Sequence, residues 1–505
     1  MYTDCLLIKN VWIADGIGAP LRRGALFAAD GVIRSLAADA PAGIPAAATV
    51  DGGGRILAPG FIDAHGHSDL ALFAAPEAFS KVSQGITTEI CGNCGLSPFP
   101  LTEANREHLE ELYREYGVSL DWSDLPDYLA AVAGRKPNCR PVPLCGHNTL
   151  RAAVAGYDRA TLKREDLTKM RELLDAALDA GAPGLSFGLL YVPGKFASEG
   201  EIVALMETLA ARGGIAATHL RSEGGELLEA IDEMISCARA AHLSRLHFSH
   251  FKTARRENWS KLDAALERIA AAQHDGLRIT VDRYPYLESM TQLSALLPSP
   301  WDDLDDSTLQ RRLADPEERR QLVDALHDAR SPEYWRRLRL AATAHPRYAA
   351  RCGTMLSKLG GDPAEITAEL LADDANGTAV AAQGMCEENL RRILDLDFCM
   401  MGSDGYALPE GCRKGHPRSF GTAAKFMRMR LEAGSAIEAA VRRMTGLTAE
   451  TFGICDRGIL APEKAADLVI FDPDEIDSRA DFSAPSTPAD GILLTAREGK
   501  IVFRR

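Results

Sequence analysis

His65 and His67 stand one residue apart in Ile62-Asp63-Ala64-His65-Gly66-His67, where an apolar run beginning at Ile56 is about to leave the core. Alternate residues of a strand share a face, so two imidazoles at that spacing can point into one pocket and grip one metal ion. Such a pair makes metal-assisted hydrolysis a candidate chemistry. Alone it is a weak signal, because two polar residues at a strand end give the same pattern. The readings separate on whether further residues of ligand type arrive at the ends of later strands.

They do. Cys94 follows the second apolar run in Gly92-Asn93-Cys94-Gly95, His219 and His250 close the fifth and sixth, and Asp404 follows the eighth in Gly402-Ser403-Asp404-Gly405. Each has a plain structural reading taken singly. Cys94 can be a small buried hydrophobe, His219 or His250 a hydrogen-bonded core residue, and Asp404 a turn cap before glycine. Independent structural residues have no reason to gather at the same end of five strands, so the set predicts a metal centre. A thiolate with neutral imidazoles suits zinc and leaves a coordination place for water. Cys91 and Cys94 also make a CxxC, but no second CxxC completes a structural zinc site.

The elements that must position these residues are legible as alternating strands and helices. Candidate strands run over 56–65, 87–91, 142–146, 184–186, 215–219, 246–250, 278–282 and 398–403, and helical periodicity fills 162–180, 199–211, 226–241 and 261–272. Buried-looking strands alternating with helices predict a parallel sheet with crossover helices. Eight such units close a (β/α)8 TIM-like barrel, whose chemistry sits at the carboxyl ends of its strands. Short alternating runs at both ends of the chain predict a small β-sandwich domain built from residues 1–58 plus 455–505, leaving 59–454 to the barrel. The charged stretch 301–349 is too long for a simple loop and is expected to form a helical insert or lid.

Composition narrows the partners. With 505 residues and 46% hydrophobic content the chain can bury a large core, and its net charge of −14 argues against nucleic acid. No apolar stretch is long enough for a bilayer, and the first residues lack a leader pattern. Eleven cysteines without a framework of spacings fit reduced thiols, so the expected location is cytoplasmic. Oligomeric state is not legible.

Several segments together resemble the amidohydrolase superfamily and, within it, the D-aminoacylases (N-acyl-D-amino-acid deacylases). They are Pro59-Gly60-Phe61-Ile62-Asp63-Ala64-His65-Gly66-His67, Gly92-Asn93-Cys94-Gly95, Gly146-His147-Asn148-Thr149-Leu150-Arg151, Thr218-His219-Leu220-Arg221-Ser222-Glu223, Ser249-His250-Phe251-Lys252, Tyr284-Pro285-Tyr286, Gly402-Ser403-Asp404-Gly405 and His416-Pro417-Arg418. Gly-Asn-Cys-Gly is the most specific, since many relatives bridge two metals with a carboxylated lysine where this family uses a thiolate. The chain departs from the pattern after Tyr286, where Leu287, Glu288 and Met290 interrupt a run of small polar residues.

The resemblance implies zinc-dependent hydrolysis of N-acyl-D-amino acids, small-molecule substrates whose amide is cut to a carboxylate and a free D-amino acid. It implies a tight zinc on Cys94, His219 and His250, and a weaker position at His65, His67 and Asp404; spacing leaves one ion or two open. Asp404 would accept the proton of the attacking water and hand it to the amine. Family precedent points to Lys252, Tyr284, Tyr286, Ser289 and Arg418 for the substrate carboxylate, with His147 and Arg221 in supporting roles. The D configuration is inherited from the resemblance alone. Competing readings are a deacylase restricted to N-acyl-D-glutamate or D-aspartate, mildly disfavoured by Glu288; a cyclic amidase of the dihydropyrimidinase or hydantoinase kind, disfavoured by Cys94; and an inactive scaffold, disfavoured by the filled ligand positions.

Overall fold

The computed structural model describes residues 4–39, 49–157, 161–375, 377–412 and 415–505, so residues 1–3 and 40–48 of the expected N-terminal domain lie outside it. The chain is a mixed α/β molecule around parallel strands. Phe61–Asp63, Ile86–Cys91, Arg140–Pro143 with Cys145–Gly146, Gly184–Gly188, Ile215–His219, Arg245–Phe248, Arg278–Arg283 and Cys399–Met401 each pair in parallel with the next. The last returns to the first: Ala64 N donates to Met401 O at 3.0 Å, and Gly66 forms a parallel bridge with Gly405.

Strands covered on both faces are enclosed throughout: Ile86–Cys91, Gly184–Gly188 and Ile215–His219 are buried at every position, Thr87, Thr88 and Glu89 included. Helices between them bury one stripe each. In Glu199–Arg212 that stripe is Ile202, Leu205, Met206 and Leu209; the Ser198 hydroxyl accepts the Glu201 N–H at its start, and Gly213 ends it at φ 63°. Among the described residues no helix is long and apolar enough to cross a membrane.

One strand boundary differs from the expectation. The run 56–65 divides: Ile56–Pro59 joins a sheet shared by both ends of the chain, and only Phe61–Asp63 enters the parallel series. The exchange falls at Gly60, whose N–H bonds Asp467 O at 2.7 Å while the next, on Phe61, bonds Gly85 O at 2.8 Å. A Cβ at Gly60 would overlap the Thr87 side chain, so the crossing needs glycine. The shared sheet runs Lys500–Arg504, Ile492–Arg497, Leu468–Phe471, Ile56–Pro59, Cys5–Ile13, Arg22–Ala29, Val32–Ala37, with Thr49–Asp51 also on Cys5–Ile13.

The helices Asp306–Leu313, Pro316–Ala329 and Pro332–Trp335 of the stretch 301–349 belong to a larger unit. It adds Pro363–Asp374 and an antiparallel sheet of Glu288–Gln292, Ala379–Gln383 and Leu338–Ala342, around its own core of Leu309, Leu322, Leu340, Leu370 and Val380. It rests on segments that follow the carboxyl ends of the parallel strands: Lys195 pairs with Asp302 at 2.7 Å and Asp303 at 2.9 Å, and Ser307 donates to Glu111 in the helix Arg106–Leu112.

Candidate metal centre

Residues far apart in sequence meet at those strand ends. Cys94 Sγ lies 3.5 Å from His65 Nε2, 3.6 Å from His219 Nδ1 and 3.4 Å from His250 Nε2. A sulfur and a nitrogen bound tetrahedrally to one zinc, at their usual bond lengths, stand about 3.6 Å apart. The observed separations match that value, and they are equally the length of hydrogen bonds from the rings to the sulfur. The same nitrogen of His65 also faces Asp404, whose Oδ1 is 3.8 Å from His65 Nε2 and 3.1 Å from His67 Nε2. Donor atoms of His65, Cys94 and His250, and separately of His65, His67 and Asp404, all lie within 4.8 Å of one another. All six expected residues meet here and their donor chemistry fits zinc, but the groups differ from the expected triads: His65 rather than His219 clusters with Cys94 and His250, and His219 clusters with Glu223 and His250.

The backbone is held in a costly shape to achieve this. Cys94, His250 and Asp404 occupy the left-handed region at φ 53°, 37° and 51°, which non-glycine residues adopt rarely and mostly where function demands it. The residue between the paired histidines has no freedom either: a Cβ on Gly66 would collide with the Glu89 carboxylate. Glu89 there accepts Ser68 N at 2.8 Å and Ser68 Oγ at 2.7 Å.

Beneath the ligands lies a fully buried ion network. Lys81 Nζ sits 2.8 Å from both Asp63 Oδ2 and Glu89 Oε2. Asp63 Oδ1 accepts the N–H of His65 at 3.2 Å and of Ser403 at 2.7 Å, tying the His65 loop to the Asp404 loop. Two further carboxylates touch the outer nitrogens of the candidate ligand histidines: Asp282 Oδ2 is 3.2 Å from His65 Nδ1 and 2.9 Å from His247 Nε2, and Glu223 Oε1 is 2.9 Å from His250 Nδ1. Carboxylates in that place orient a ligating imidazole and raise its basicity.

Charge at the centre is concentrated and unusual. Burial alone would raise the Cys94 thiol, but the neighbouring His65 and His250, with contacts from His219, hold it well below its ordinary value. Burial likewise opposes ionisation of Asp404, and Arg418 and His67 overcome it, keeping the carboxyl well below the usual range. Burial disfavours a charged His67, yet Asp404 and Cys94 push it up to about 9. Protons on the imidazoles thus answer a thiolate and a carboxylate, the negative charge that a dication displaces protons to reach.

The residues expected at the substrate carboxylate divide. Arg418, buried at the start of the helix Arg418–Glu432, places Nη1 2.7 Å from Asp404 Oδ2 and lies 4.8 Å over the Tyr284 ring. Arg418 Nε and the Tyr284 hydroxyl are buried without a hydrogen-bond partner among the described residues. Lys252 is held by Glu223 and lies 2.9 Å from His250 Nδ1. Ser289 shares a strand face with Thr291, whose Oγ1 is 3.4 Å from the Tyr191 hydroxyl; the Tyr191 ring stands 4.9 Å from that of His219. Tyr286 turns elsewhere, with Lys425 4.2 Å over its ring and its hydroxyl 3.5 Å from Pro417 O. Glu288 accepts from Gln383 at 3.1 Å in an exposed contact. His147 bonds Glu201 at 2.8 Å, and Arg221 braces the loop at Lys195 O, 2.8 Å away.

Sequence reasoning missed Glu223, Asp282, Lys81 and Tyr191. Glu223 follows His219 by four residues and Asp282 ends a buried strand, so an acid at a strand end was the available signal. Lys81, in the four-residue helix Phe79–Val82, carries none.

The Amidohydrolase family profile matches residues 48–503, and the chain belongs to that family. It is 33% identical to the N-acyl-D-glutamate deacylase of Alcaligenes xylosoxydans xylosoxydans over 99% of this chain and 93% of that one. It is 31% identical to the D-aminoacylase of the same organism over 99% and 94%. Among solved structures, the N-acyl-D-glutamate deacylase of Bordetella bronchiseptica, complexed with zinc and a phosphonate mimic of the tetrahedral intermediate, superposes with TM-score 0.83 at 32% identity, covering 100% of this chain and 97% of that one.

Proposed function

We propose that this protein hydrolyses the amide bond of N-acyl-D-amino acids with zinc. The observation that carries the reading is the set of imidazole nitrogens 3.4 to 3.6 Å from Cys94 Sγ, with the ionised Asp404 beside them. Cys94, His219 and His250 would hold one zinc tightly, and His65, His67 and Asp404 would form a weaker second position. Bound zinc would supply a Lewis acid and a water acidic enough to ionise near neutral pH.

Asp404 takes one proton from water and passes it to the departing nitrogen; the new carboxylic acid then gives its proton to the freed amine, so that amide and water become carboxylate and ammonium. Arg418 Nε and the Tyr284 hydroxyl, buried donors in want of an acceptor, receive the substrate's α-carboxylate, with Lys252 alongside. Ser289 borders the side-chain pocket, and Tyr286 supports the start of the Arg418 helix from behind. The D configuration comes from the names of the relatives.

The parallel strands are read as a (β/α)8 TIM-like barrel over 59–454, carried on a β-sandwich domain of 1–58 plus 455–505. The cyclic order of strand pairing supports the barrel, and the single sheet shared by both ends supports one β domain built from the two termini. Eleven cysteines without a framework of spacings support a cytoplasmic location. A narrower substrate range, acidic D-amino acids only, gains from Glu288: its carboxylate is engaged by Gln383, on the strand face opposite Ser289 and Thr291, and so does not repel an acidic side chain. The test is release of free amine from N-acetyl-D- and N-acetyl-L-amino acids by zinc-reconstituted protein. Turnover of D substrates is expected; turnover confined to L substrates or to ring amides refutes the reading.

A further inference from the structure

We propose that Glu223 is a positioning residue that keeps the proton of His250 on Nδ1, and so keeps Nε2 free for the metal, against Lys252, which would otherwise impose the opposite tautomer. His250 faces Cys94 with Nε2, at 3.4 Å. A ring nitrogen binds a metal only through its lone pair, so a neutral His250 that serves as ligand must carry its proton on Nδ1. Two groups compete for that nitrogen: Glu223 Oε1, in an ion-pair contact at 2.9 Å, and Lys252 Nζ, in a hydrogen bond at 2.9 Å.

Their demands are opposite. A carboxylate can only accept, and so favours Nδ1–H. An ammonium can only donate, and so favours a bare Nδ1 with the proton on Nε2, aimed at the Cys94 sulfur where the metal belongs. Glu223 resolves the conflict twice, because the same oxygen also engages Lys252. The arrangement is particular to His250. His65 has Asp282 on its Nδ1 at 3.2 Å, but that carboxylate's other partner is His247 rather than a lysine. His219 presents Nδ1 itself to the sulfur.

The consequence is non-additive. Removing Glu223 leaves Lys252 as the neighbour of Nδ1 and turns a simple loss of orientation into an active block. Removing Lys252 as well lifts the block. The measurement is the zinc dissociation constant of metal-free protein, by chelator competition, for wild type, E223A, E223Q, K252M and E223A/K252M, with circular dichroism to confirm folding. E223A is expected to bind zinc roughly 100-fold more weakly, the upper end for loss of such a carboxylate. The smaller loss belongs to E223Q, whose amide oxygen still accepts; K252M should match wild type, and E223A/K252M should recover most of the affinity.

Wild-type affinity in E223A, or a double variant as weak as E223A, overturns the proposal. Should E223A not fold, E223Q and E223Q/K252M carry the comparison, and equal affinities there overturn it. The inference rests on reading Cys94, His219 and His250 as zinc ligands. A wild-type protein that binds no zinc defeats both, whereas a zinc-binding wild type with an indifferent E223A defeats this inference alone.

Discussion

Replacing Asp404 with Asn removes one charge and one proton acceptor while changing little else. Asn tolerates the left-handed backbone at φ 51°, and the Asp404 N–H that bonds His65 O at 2.6 Å is untouched. Cys94, His219 and His250 do not depend on the carboxylate, so tight zinc should remain. A positioned general base contributes roughly 100- to 10,000-fold to rate, or about 2.7–5.4 kcal/mol of barrier. Arg418 and His67 hold Asp404 ionised, so its proton-accepting form is present at neutral pH, but the same contacts weaken it as a base, and the fall in kcat should lie toward the lower end of that range. Arg418 loses its countercharge; breaking a buried pair costs about 3–5 kcal/mol in stability, less where an amide oxygen still accepts. The assay pairs steady-state kinetics on an N-acetyl-D-amino acid with zinc content and thermal melting of the same preparation. Retained kcat with retained zinc would refute the role given to Asp404.

Arg418→Ala should raise KM by roughly 10- to 100-fold, the loss of a charge-assisted bond; an unaltered KM removes Arg418 from the carboxylate site. Gly66→Ala must drive its Cβ into the Glu89 carboxylate, and should cost about 1–3 kcal/mol in denaturant unfolding together with weaker zinc binding; unchanged stability would mean the loop yields freely. Asp306, in the insert, has its carboxyl raised to about 6 by burial and by Asp305 and Glu111. A raised acid stabilises fully below its unfolded value near 4 and loses that contribution as pH climbs through about 6. Asp306→Asn should therefore leave melting at pH 4 unchanged and stabilise at pH 8, by roughly 1 kcal/mol after allowance for partial exposure; calorimetry at the two pH values checks the sign.

The residues that meet at the strand ends were legible because their chemistry is scarce and their places repeat: histidine, cysteine and aspartate at or just beyond the ends of buried strands. Periodicity gave the strands for the same reason. It failed at Gly60, where an apolar run crosses from one sheet to another without a change of composition. It failed again at Glu288–Gln292, a half-buried strand without apolar alternation that pairs with Ala379–Gln383, about ninety residues away. Glu223 and Lys252 both stood in the motifs, yet what one does to the other depends on a single ring nitrogen, and distances of that kind are set by packing. Tyr286 and Tyr284, two residues apart, looked interchangeable; only the folded chain turns one toward Arg418 and the other toward Lys425.

X-ray absorption at the zinc edge of reconstituted protein probes the Cys94 centre most directly. The expected spectrum contains a sulfur neighbour at about 2.3 Å beside nitrogen neighbours at about 2.0–2.1 Å, and the sulfur shell disappears in Cys94→Ala. A shell of nitrogen and oxygen alone in the wild type, or protein that fails to take up stoichiometric zinc, would contradict it.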